Sequence, residues 1–331
     1  MGLIDRLLLK RYPFRFVYSA EYWMVDLGRH VFPVRKYRLI YERLLAQGIS
    51  KDAFLEPGPA ADEDILRVHS PKYVRKLQSG DLSRSEIEAL ELPYLPELTR
   101  FVWLHMGGTI LAAEAALREG LAVHIGGGFH HAFADHGEGF CALNDTVIAI
   151  EKLRAEGRIA RPMIIDLDVH QGNGTASLFA GRKDVFTYSL HQMDIYPAEK
   201  PPSTLDVGLW SGDGDEKYLA ALRADIPRIL DGFKPDFIIY LAGADPLAGD
   251  KLGGLTCSLQ GLAERDRLVL EETRGRGIPV AVELAGGYGR DLDETVQAHM
   301  NTIQAARRAQ RAARRTVIKR HHIFFQGLIS F

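Results

Sequence analysis

Cysteine is scarce in this chain: only Cys141 and Cys257 occur among its 331 residues, and they do not form a Cys-x-x-Cys pair. The sequence therefore argues against a disulfide framework and against a thiolate zinc site, and it suits a reducing compartment. Long hydrophobic runs are also missing, because no apolar stretch approaches the roughly 18–20 residues that span a bilayer. We therefore expect no membrane-spanning helix.

An excess of charge of either sign is missing as well. The 41 basic and 43 acidic side chains leave a net charge of −2, which does not point to a nucleic acid or an anionic membrane as the main partner. Residues 1–11 are too few and too charged for the apolar part of a secretory signal. Together with the cysteine usage, this composition predicts a cytoplasmic, enzyme-sized protein with no nucleic-acid partner.

Apolar runs and amphipathic segments alternate along most of the chain. The runs are continuous, rich in Val, Ile and Phe and bounded by Gly or Pro, which is typical of parallel strands buried on both faces. Predicted strands cover residues 14–18, 122–125, 163–167, 184–190, 236–241 and 278–284. Predicted helices cover residues 34–47, 97–118, 144–156, 216–231, 259–274 and 291–308. Such alternation predicts an α/β fold with a single doubly wound, mainly parallel sheet and helices on both faces.

One domain accounts for this pattern, because the sequence contains neither an internal repeat nor a Pro/Ser-rich linker. We expect that domain to cover residues 1–306. Residues 192–215 contain several Pro and Gly without a clear period, and such a long loop usually forms a lid or a pocket wall. Residues 307–331 carry a cluster of Arg and Lys, which we interpret as a solvated helix end followed by a disordered or cloning-derived terminus.

The most informative segment runs from Met163 to Gly174, where a predicted buried strand ends in acidic and imidazole side chains. Because side chains alternate faces along a strand, Asp166, Asp168 and His170 project to the same side. A polar strand end in solvent is the simpler interpretation of this triplet taken alone. Two carboxylates and an imidazole at the carboxyl end of a strand nevertheless form a good site for a metal ion.

Three more clusters follow predicted strands. His130 and His131 come shortly after three glycines, Asp245 follows strand 236–241, and Tyr288 follows the last strand. Each has an ordinary alternative, namely a polar loop, a turn and a packing residue. Because the carboxyl ends of parallel strands share one edge of the sheet, we expect these groups to meet there.

This combination predicts a mononuclear hydrolytic site. Asp168, His170 and Asp245 would bind the metal and leave an open position for water, whose pKa the metal can lower from about 16 towards 7. A nearby histidine would take the proton of that water and later return one to the leaving group. A tyrosine hydroxyl on the opposite side would donate to the developing oxyanion.

The motifs resemble those of the zinc-dependent histone deacetylase superfamily, which has the arginase/deacetylase fold. The resemblance extends over roughly residues 17–302 and rests on several motifs in order. They are Gly107-Gly-Thr-x-x-Ala-Ala, Gly126-Gly-Gly-Phe-His-His-Ala, Gly139-Phe-Cys-x-x-Asn-Asp, Asp166-Leu-Asp-Val-His-Gln-Gly-Asn-Gly, Ser189-Leu-His, Gly243-Ala-Asp-x-Leu-Ala-Gly-Asp and Gly286-Gly-Tyr. The block Gly28-Arg-His-Val-Phe-Pro-Val-Arg-Lys-Tyr, with Gln171 and Asn173, is most similar to class IV and bacterial class IV-like members.

The resemblance implies a role for each catalytic residue. His131 would be the general acid and base, His130 its electrostatic neighbour, and Tyr288 the group that polarises the scissile carbonyl. Asp166 would accept a hydrogen bond from His130 and orient its ring. Asn173 stands where class I members place an aspartate, so His131 is expected to be less basic here.

The resemblance also implies the bound ions. Zinc would be held by Asp168, His170 and Asp245, and iron(II) suits the same ligands. A structural potassium ion would lie beside them. Its ligands would be the side chains of Asp166, Asp168 and Ser189 and the backbone carbonyls of His170 and Leu190.

Finally, the resemblance implies a narrow substrate tunnel. Its residues would be Gly139, Phe140 and Tyr196 in the wall, Leu252 at the rim, and Gly286 and Gly287 in the last motif. The predicted substrate is therefore an acyl-lysine protein or peptide, and an apolar Leu252 argues against the distal ammonium of a polyamine. Because Tyr288 is present, a weakened catalytic site is disfavoured.

The sequence thus predicts zinc-dependent hydrolysis of the amide of an N-acyl lysine, with an acetyl or longer acyl group. One alternative is a deacetylase of a small acylated amine, such as an acetylpolyamine, or of an acetoin-pathway metabolite. Another is a catalytically silent acyl-lysine binder. An arginase-type ureohydrolase is less favoured, since two bridged metals need more ligands than the motifs provide.

Overall fold

The computed structural model of the chain describes residues 12–93 and 95–328, with side chains up to residue 316. Over these residues one sheet contains eight strands, and every pairing within it is parallel. The strands are β1 (Arg15–Val17), β2 (Phe54–Leu55), β3 (Leu121–His124), β4 (Pro162–Asp166), β5 (Phe186–Gln192), β6 (Leu205–Leu209), β7 (Phe237–Leu241) and β8 (Val280–Glu283). Their spatial order is β2-β1-β3-β8-β7-β4-β5-β6. The predicted α/β fold with one parallel sheet is confirmed.

Helices connect most of the strands. They are α1 (Arg35–Ala46), α2 (Asp62–Ile65), α3 (Pro71–Ser79), α4 (Arg84–Leu90), α5 (Pro96–Glu119), α6 (Asp145–Ala155), α7 (Asn173–Leu178), α8 (Asp215–Phe233), α9 (Leu259–Gly275) and α10 (Leu292–Leu328). Side-chain caps explain several of their starts: Asn144 accepts from the backbone of Val147 before α6, and Ser258 accepts from that of Gly261 before α9. Each of the six predicted helices is observed within a few residues of its predicted start.

The middle of the sheet is apolar on both faces. Every residue of β3, β4, β7 and β8 is buried, as expected for parallel strands covered by helices. These are the four strands whose carboxyl ends carry the chemistry-bearing motifs. The site residues therefore end, or follow, the fully buried strands of the sheet.

Two strands differ from the prediction. β2 is only two residues long, too short for any periodic signal. β6 lies inside the segment 192–215 that was predicted to be a loop, because Asp206 and Gly208 interrupt its apolar run. As an edge strand it alternates between half-buried and exposed residues up to Gly208, and only Leu209 is buried, so its sequence shows no continuous hydrophobic stretch.

The last helix is longer than predicted. α10 continues to Leu328, so the predicted domain boundary at residue 307 falls inside a helix. Ala309 and Gln310 lie beyond that boundary and are buried. Within the described part of the chain, no helix has both the length and the apolar character that crossing a membrane requires.

Candidate active site

The four clusters singled out from the sequence lie at one edge of the sheet. Asp166 ends β4, and the histidine pair, Asp245 and Tyr288 follow β3, β7 and β8. These strands are consecutive neighbours in the order β3-β8-β7-β4, and all point the same way. Their carboxyl ends therefore converge, as ligand sites on parallel sheets do.

The predicted metal ligands come together. Asp168, His170 and Asp245 are buried, and one ligand atom from each lies within 4.8 Å of the others. His170 Nδ1 is 3.0 Å from Asp168 Oδ1 and 3.8 Å from Asp245 Oδ2. Among the described residues, Asp245 Oδ2 has no hydrogen-bond partner although it is buried. Two carboxylates and an imidazole with an unsatisfied oxygen fit a divalent metal ion.

A glycine allows this close approach of the two carboxylates to the backbone. Gly286 donates its backbone N–H to Asp168 Oδ2 at 3.0 Å. A Cβ on this residue would stand 2.0 Å from Asp245 Oδ2 and 2.4 Å from Asp168 Oδ2. Any larger residue here would displace the carboxylates, which explains the glycine in the last motif.

The two carboxylates are electrostatically unequal. Burial, followed by the charges of Asp168 and Asp250, raises the pKa of Asp245 well above its usual range. Burial also acts to raise the pKa of Asp168, but His130 and His170 outweigh it and hold that pKa below its usual range. Two carboxylates this close favour one shared proton or a cation between them.

The first histidine of the pair is charged by its surroundings. His130 Nδ1–H donates to Asp166 Oδ2 at 2.8 Å. Burial acts to lower the pKa of His130, but the neighbouring Asp166 and Asp168 outweigh it and raise this pKa to about 9. The two carboxylates therefore favour the protonated form of His130, and its role as an electrostatic neighbour stays a prediction.

The second histidine is held neutral. His131 Nδ1 lies 2.7 Å from Asn173 Oδ1, and both side chains are buried. Burial, followed by the charges of His130 and His170, lowers the pKa of His131 well below its usual range. A neutral imidazole with one ring nitrogen occupied can act as a base through the other.

A narrow cavity leads to these groups. His131, Asp168, His170, Gly286 and Tyr288 line this cavity. The aromatic side chains of Phe32 and Phe140 line it as well. The ring centroids of Phe32 and Phe140 are 6.1 Å apart, those of Phe32 and Tyr288 are 6.3 Å apart, and those of Phe140 and Tyr288 are 5.9 Å apart.

Tyr288 is fixed at this cavity by its backbone. Its N–H donates to Asp250 Oδ2 at 2.6 Å, and its ring faces the aromatic wall. Burial, followed by the charges of Asp168 and Asp245, raises the pKa of the Tyr288 hydroxyl well above its usual range. The hydroxyl therefore stays protonated and can donate a hydrogen bond.

Comparison with known proteins decides what this arrangement is. The histone deacetylase domain family matches residues 30–303, which include all four clusters and the aromatic wall. The chain belongs to the histone deacetylase family. As a member of that family it is a hydrolase of the deacetylase type. Its class IV-like character stays a prediction.

Three similar proteins can be aligned with most of the sequence of this deacetylase. An uncharacterized protein of Picosynechococcus sp. is 38% identical over 295 residues, which are 89% of this chain and 98% of that protein. Histone deacetylase 2 of Arabidopsis thaliana is 35% identical over 285 residues, 82% of this chain and 74% of that protein. A probable deacetylase of Methanothermobacter thermautotrophicus is 32% identical over 285 residues, 82% of this chain and 85% of that protein.

A solved structure supports the fold of this deacetylase. The crystal structure of the HDA15 HD domain superposes with a TM-score of 0.74 and 22% sequence identity. The superposition covers 88% of this chain and 90% of the HDA15 HD domain chain. At this level of identity the likeness establishes the shared fold, and it agrees with the parallel sheet described above.

Only some of the residues predicted to form the substrate tunnel of the deacetylase line the cavity. Gly139 and Phe140 line the cavity, and the Tyr196 ring lies 4.9 Å from that of His131. A Cβ on Gly139 would stand 2.9 Å from both the His131 and the Tyr196 rings, so this wall requires glycine. Leu252 is half-buried, and its N–H donates to Asp250 Oδ1. It is not among the residues that line the cavity.

Gly287 also lies outside the described lining. A Cβ there would stand 2.9 Å from Thr295 and 3.0 Å from Ala244, on the side of α10 and the β7 loop. Its predicted substrate contact, like that of Leu252, stays a prediction.

The structure adds residues that sequence reasoning missed. Glu138 accepts from Asn173 and Tyr196, and Asp250 accepts from the backbone of Tyr288. Lys36 is fully buried on α1, and its Nζ donates to Ala285 O at 2.6 Å. The signal for Lys36 was its spacing, because it shares the buried face of α1 with Tyr37, Ile40 and Leu44.

Proposed function

We propose that this histone deacetylase family protein hydrolyses the amide of an N-acyl lysine with the help of zinc. The observation that carries the proposal is the convergence of three elements on one narrow cavity. They are the Asp168, His170 and Asp245 triad, of which Asp168 and His170 line the cavity, the neutral His131, and Tyr288. A metal ligand set, a base and a hydrogen-bond donor are the parts that amide hydrolysis needs.

Asp168, His170 and Asp245 would hold the ion. When bound, zinc supplies a Lewis acid that polarises the substrate carbonyl and makes water more acidic. Iron(II) fits the same donors, so reconstitution of the metal-free protein with each ion in turn identifies the better one. The unsatisfied Asp245 Oδ2 supports the presence of a cation at this position.

The protein side chains would move and hold the protons. His131 takes a proton from the attacking water at Nε2, because Nδ1 is engaged with Asn173. It returns that proton to the lysine nitrogen as the C–N bond breaks, which yields a carboxylate and a free amine. Tyr288 donates its hydroxyl proton in a hydrogen bond to the carbonyl oxygen as negative charge develops there.

The cavity suits an unbranched chain that enters end-on. Phe32 and Phe140 provide apolar aromatic walls, which match the methylene groups of a lysine side chain. The apolar Leu252 provides no anion for the distal ammonium of a polyamine. These features favour an acyl-lysine peptide over a small acylated polyamine.

The first experiment measures release of acetyl, octanoyl and myristoyl groups from lysine peptides by the zinc-loaded protein, with N-acetylputrescine in parallel. We expect peptide deacylation that a chelator abolishes and added zinc restores. A matched Asp245→Asn protein reports any contaminating hydrolase. Faster turnover of N-acetylputrescine would favour the small-molecule alternative, and peptide binding without any turnover would favour a silent binder.

We further propose potassium beside the zinc site. Its side-chain ligands would be Asp166, Asp168 and Ser189, and its carbonyl ligands would be those of His170 and Leu190. The pairing of β4 with β5, in which Asp166 stands opposite Ser189, supports this proposal. Replacement of potassium by choline should lower the unfolding temperature, and an unchanged temperature would contradict the site.

A further inference from the structure

A half-buried glutamate connects the histidine that faces the cavity to the tunnel wall. Glu138 Oε2 accepts from Asn173 Nδ2 at 2.6 Å and from the Tyr196 hydroxyl at 2.9 Å. Asn173 in turn places its Oδ1 2.7 Å from His131 Nδ1. The backbone of Glu138 is itself fixed, since its N–H donates to Cys141 O at 3.0 Å and it accepts from Cys141 N at 2.8 Å.

The direction of these hydrogen bonds follows from elementary chemistry. An ionised carboxylate can only accept, whereas an asparagine amide offers an acceptor at one end and donors at the other. Glu138 therefore requires the Asn173 NH₂ group to face it, which leaves the Asn173 oxygen facing His131. An oxygen at that position accepts only if His131 Nδ1 carries the hydrogen. The second ring nitrogen, Nε2, is then left with a free lone pair.

We propose that Glu138 is a positioning residue that sets the orientation of the Asn173 amide and thereby the tautomer of His131. Without an acceptor-only group at position 138, the Asn173 amide can turn its NH₂ towards His131. Nδ1 would then accept, the hydrogen would move to Nε2, and the ring could not take a proton on the cavity side. This proposal rests on the proposed role of His131 as the base.

The same contacts explain why an amide can stand beside His131. A carboxylate in direct contact would stabilise the imidazolium form and make the ring a weaker proton donor afterwards. With Asn173 in between, the negative charge of Glu138 lies one hydrogen bond further away. The ring is then oriented by its hydrogen bond to Asn173, while burial keeps it neutral.

Glu138 is connected to His131 a second time, through its hydrogen bond with Tyr196. Tyr196 is also in edge contact with His131, at a ring distance of 4.9 Å and an angle of 76°. Glu138 therefore holds both the ring that packs on His131 and the amide that orients it. Because Glu138 directly precedes Gly139 and Phe140, the tunnel wall and the base are positioned by one short segment.

The direct test observes the tautomer. Long-range proton–nitrogen correlation spectra of zinc-loaded, nitrogen-15 histidine-labelled protein distinguish Nδ1–H from Nε2–H for each of the 12 histidines. The signals that disappear in His131→Asn identify His131. We expect Nδ1–H in the wild type and a mixture of both tautomers in Glu138→Gln. Nε2–H in the wild type, or pure Nδ1–H in Glu138→Gln, would overturn the proposal.

The kinetic test uses a compensating change. Glu138→Gln should lower kcat by about 10- to 100-fold with little change in KM, since a wrong tautomer removes the base from most molecules. Glu138→Gln combined with Asn173→Asp places an acceptor-only group directly on His131 Nδ1 and should recover most of that loss. Asp135→Asn, which removes an exposed charge from the same loop, should leave kcat unchanged.

These results separate the two proposals. A double variant that remains as slow as Glu138→Gln would show that the loss is structural and would contradict the positioning role. If lysine peptides are not cleaved, the proposed function fails, while the tautomer spectra of the wild type and Glu138→Gln still decide the role of Glu138.

Discussion

Among single residues, Tyr288 is expected to have a direct effect on the chemical step. Its ring lines the cavity, and its backbone is held by Asp250 independently of its hydroxyl. Tyr288→Phe should therefore keep the fold and lower kcat by roughly 10²–10³, the usual effect of losing one oxyanion donor. Steady-state kinetics on the best peptide substrate measures this, and turnover equal to the wild type would exclude the proposed role.

Asp245 tests the metal site separately from catalysis. Asp245→Asn keeps an oxygen for the backbone N–H of Val169, which now donates to Asp245 Oδ1 at 2.9 Å, but it loses an ionic ligand. We expect zinc at 100 times its Kd to stabilise the wild type by about 2.7 kcal/mol and the variant by far less. Thermal unfolding with and without zinc measures the difference.

The control for Asp245→Asn is Asp231→Asn. Asp231 is an exposed aspartate paired with Arg276 near the end of α8, before β7 begins, whereas the site follows the carboxyl ends of the strands. Its replacement should leave the zinc effect intact. Zinc stabilisation of Asp245→Asn equal to that of the wild type would remove Asp245 from the ligand set.

The residues of the site were predictable where they end a buried strand or follow it closely. Asp166 ends β4, Asp168 and His170 lie in the bend directly after it, and Asp245 follows a neighbouring strand, so parallel topology brings them together. Glu138 was not predictable in this way. Its partners Asn173 and Tyr196 are 35 and 58 residues away, and the contacts depend on how its loop packs against the start of α7 and the loop between β5 and β6.

At the scale of elements, the loop from β8 to α10 brings the backbone against the metal ligands. Gly286→Ala would place a methyl group only 2.0 Å from Asp245 Oδ2 and 2.4 Å from Asp168 Oδ2, which is closer than van der Waals contact allows. Since this loop is held by the Asp250 contact to Tyr288, the carboxylates must move instead. We expect weaker zinc binding and lower activity, measured by zinc titration with a competing chelator.

The matched control is Gly232→Ala in α8. A Cβ there meets no atom within 4 Å, and the residue is helical. This change should raise the free energy of unfolding by about 0.5–1 kcal/mol and leave zinc affinity alone. Equal zinc affinity in Gly286→Ala and the wild type would show that the loop, rather than the carboxylates, gives way.

Element prediction succeeded where burial produced a periodic signal and failed where it did not. The buried strands β3, β4, β7 and β8 are apolar throughout, so the sequence identified them. The edge strand β6 is partly exposed, and polar residues broke its pattern. α10 was predicted too short because its later residues are rich in arginine, although Ala309 and Gln310 still pack against the domain.

Across the whole molecule, several histidines are buried in neutral form. His69 accepts the backbone N–H of Asn144 at Nε2, 3.0 Å away, and burial lowers its pKa to about 4. Burial likewise lowers the pKa of His124 to about 3, where Tyr22 and Thr109 contact its two ring nitrogens. Between pH 6.5 and these values the unfolded chain binds protons that the folded chain does not, so each histidine destabilises the fold as the pH falls.

Other buried groups act in the opposite direction. The pH dependence of the total free energy of unfolding therefore does not identify the contribution of any one group. Burial raises the pKa of Glu283. A carboxyl with a raised pKa stabilises the folded state increasingly as the pH falls towards the pKa that the group has in the unfolded chain. His130, with a pKa raised to about 9, is protonated in both states below pH 6.5 and contributes its stability only up to pH 9. A comparison between variants cancels these contributions and isolates one histidine.

His69→Gln is that comparison, because a glutamine oxygen can still accept from Asn144. Between about pH 6.5 and 4, the free energy of unfolding of the wild type should fall more steeply than that of the variant by about 1.4 kcal/mol per pH unit. Chemical denaturation at several pH values measures both slopes. Parallel slopes for His69→Gln and the wild type would mean that His69 already titrates normally in the folded protein, and that burial at this position does not exclude the proton.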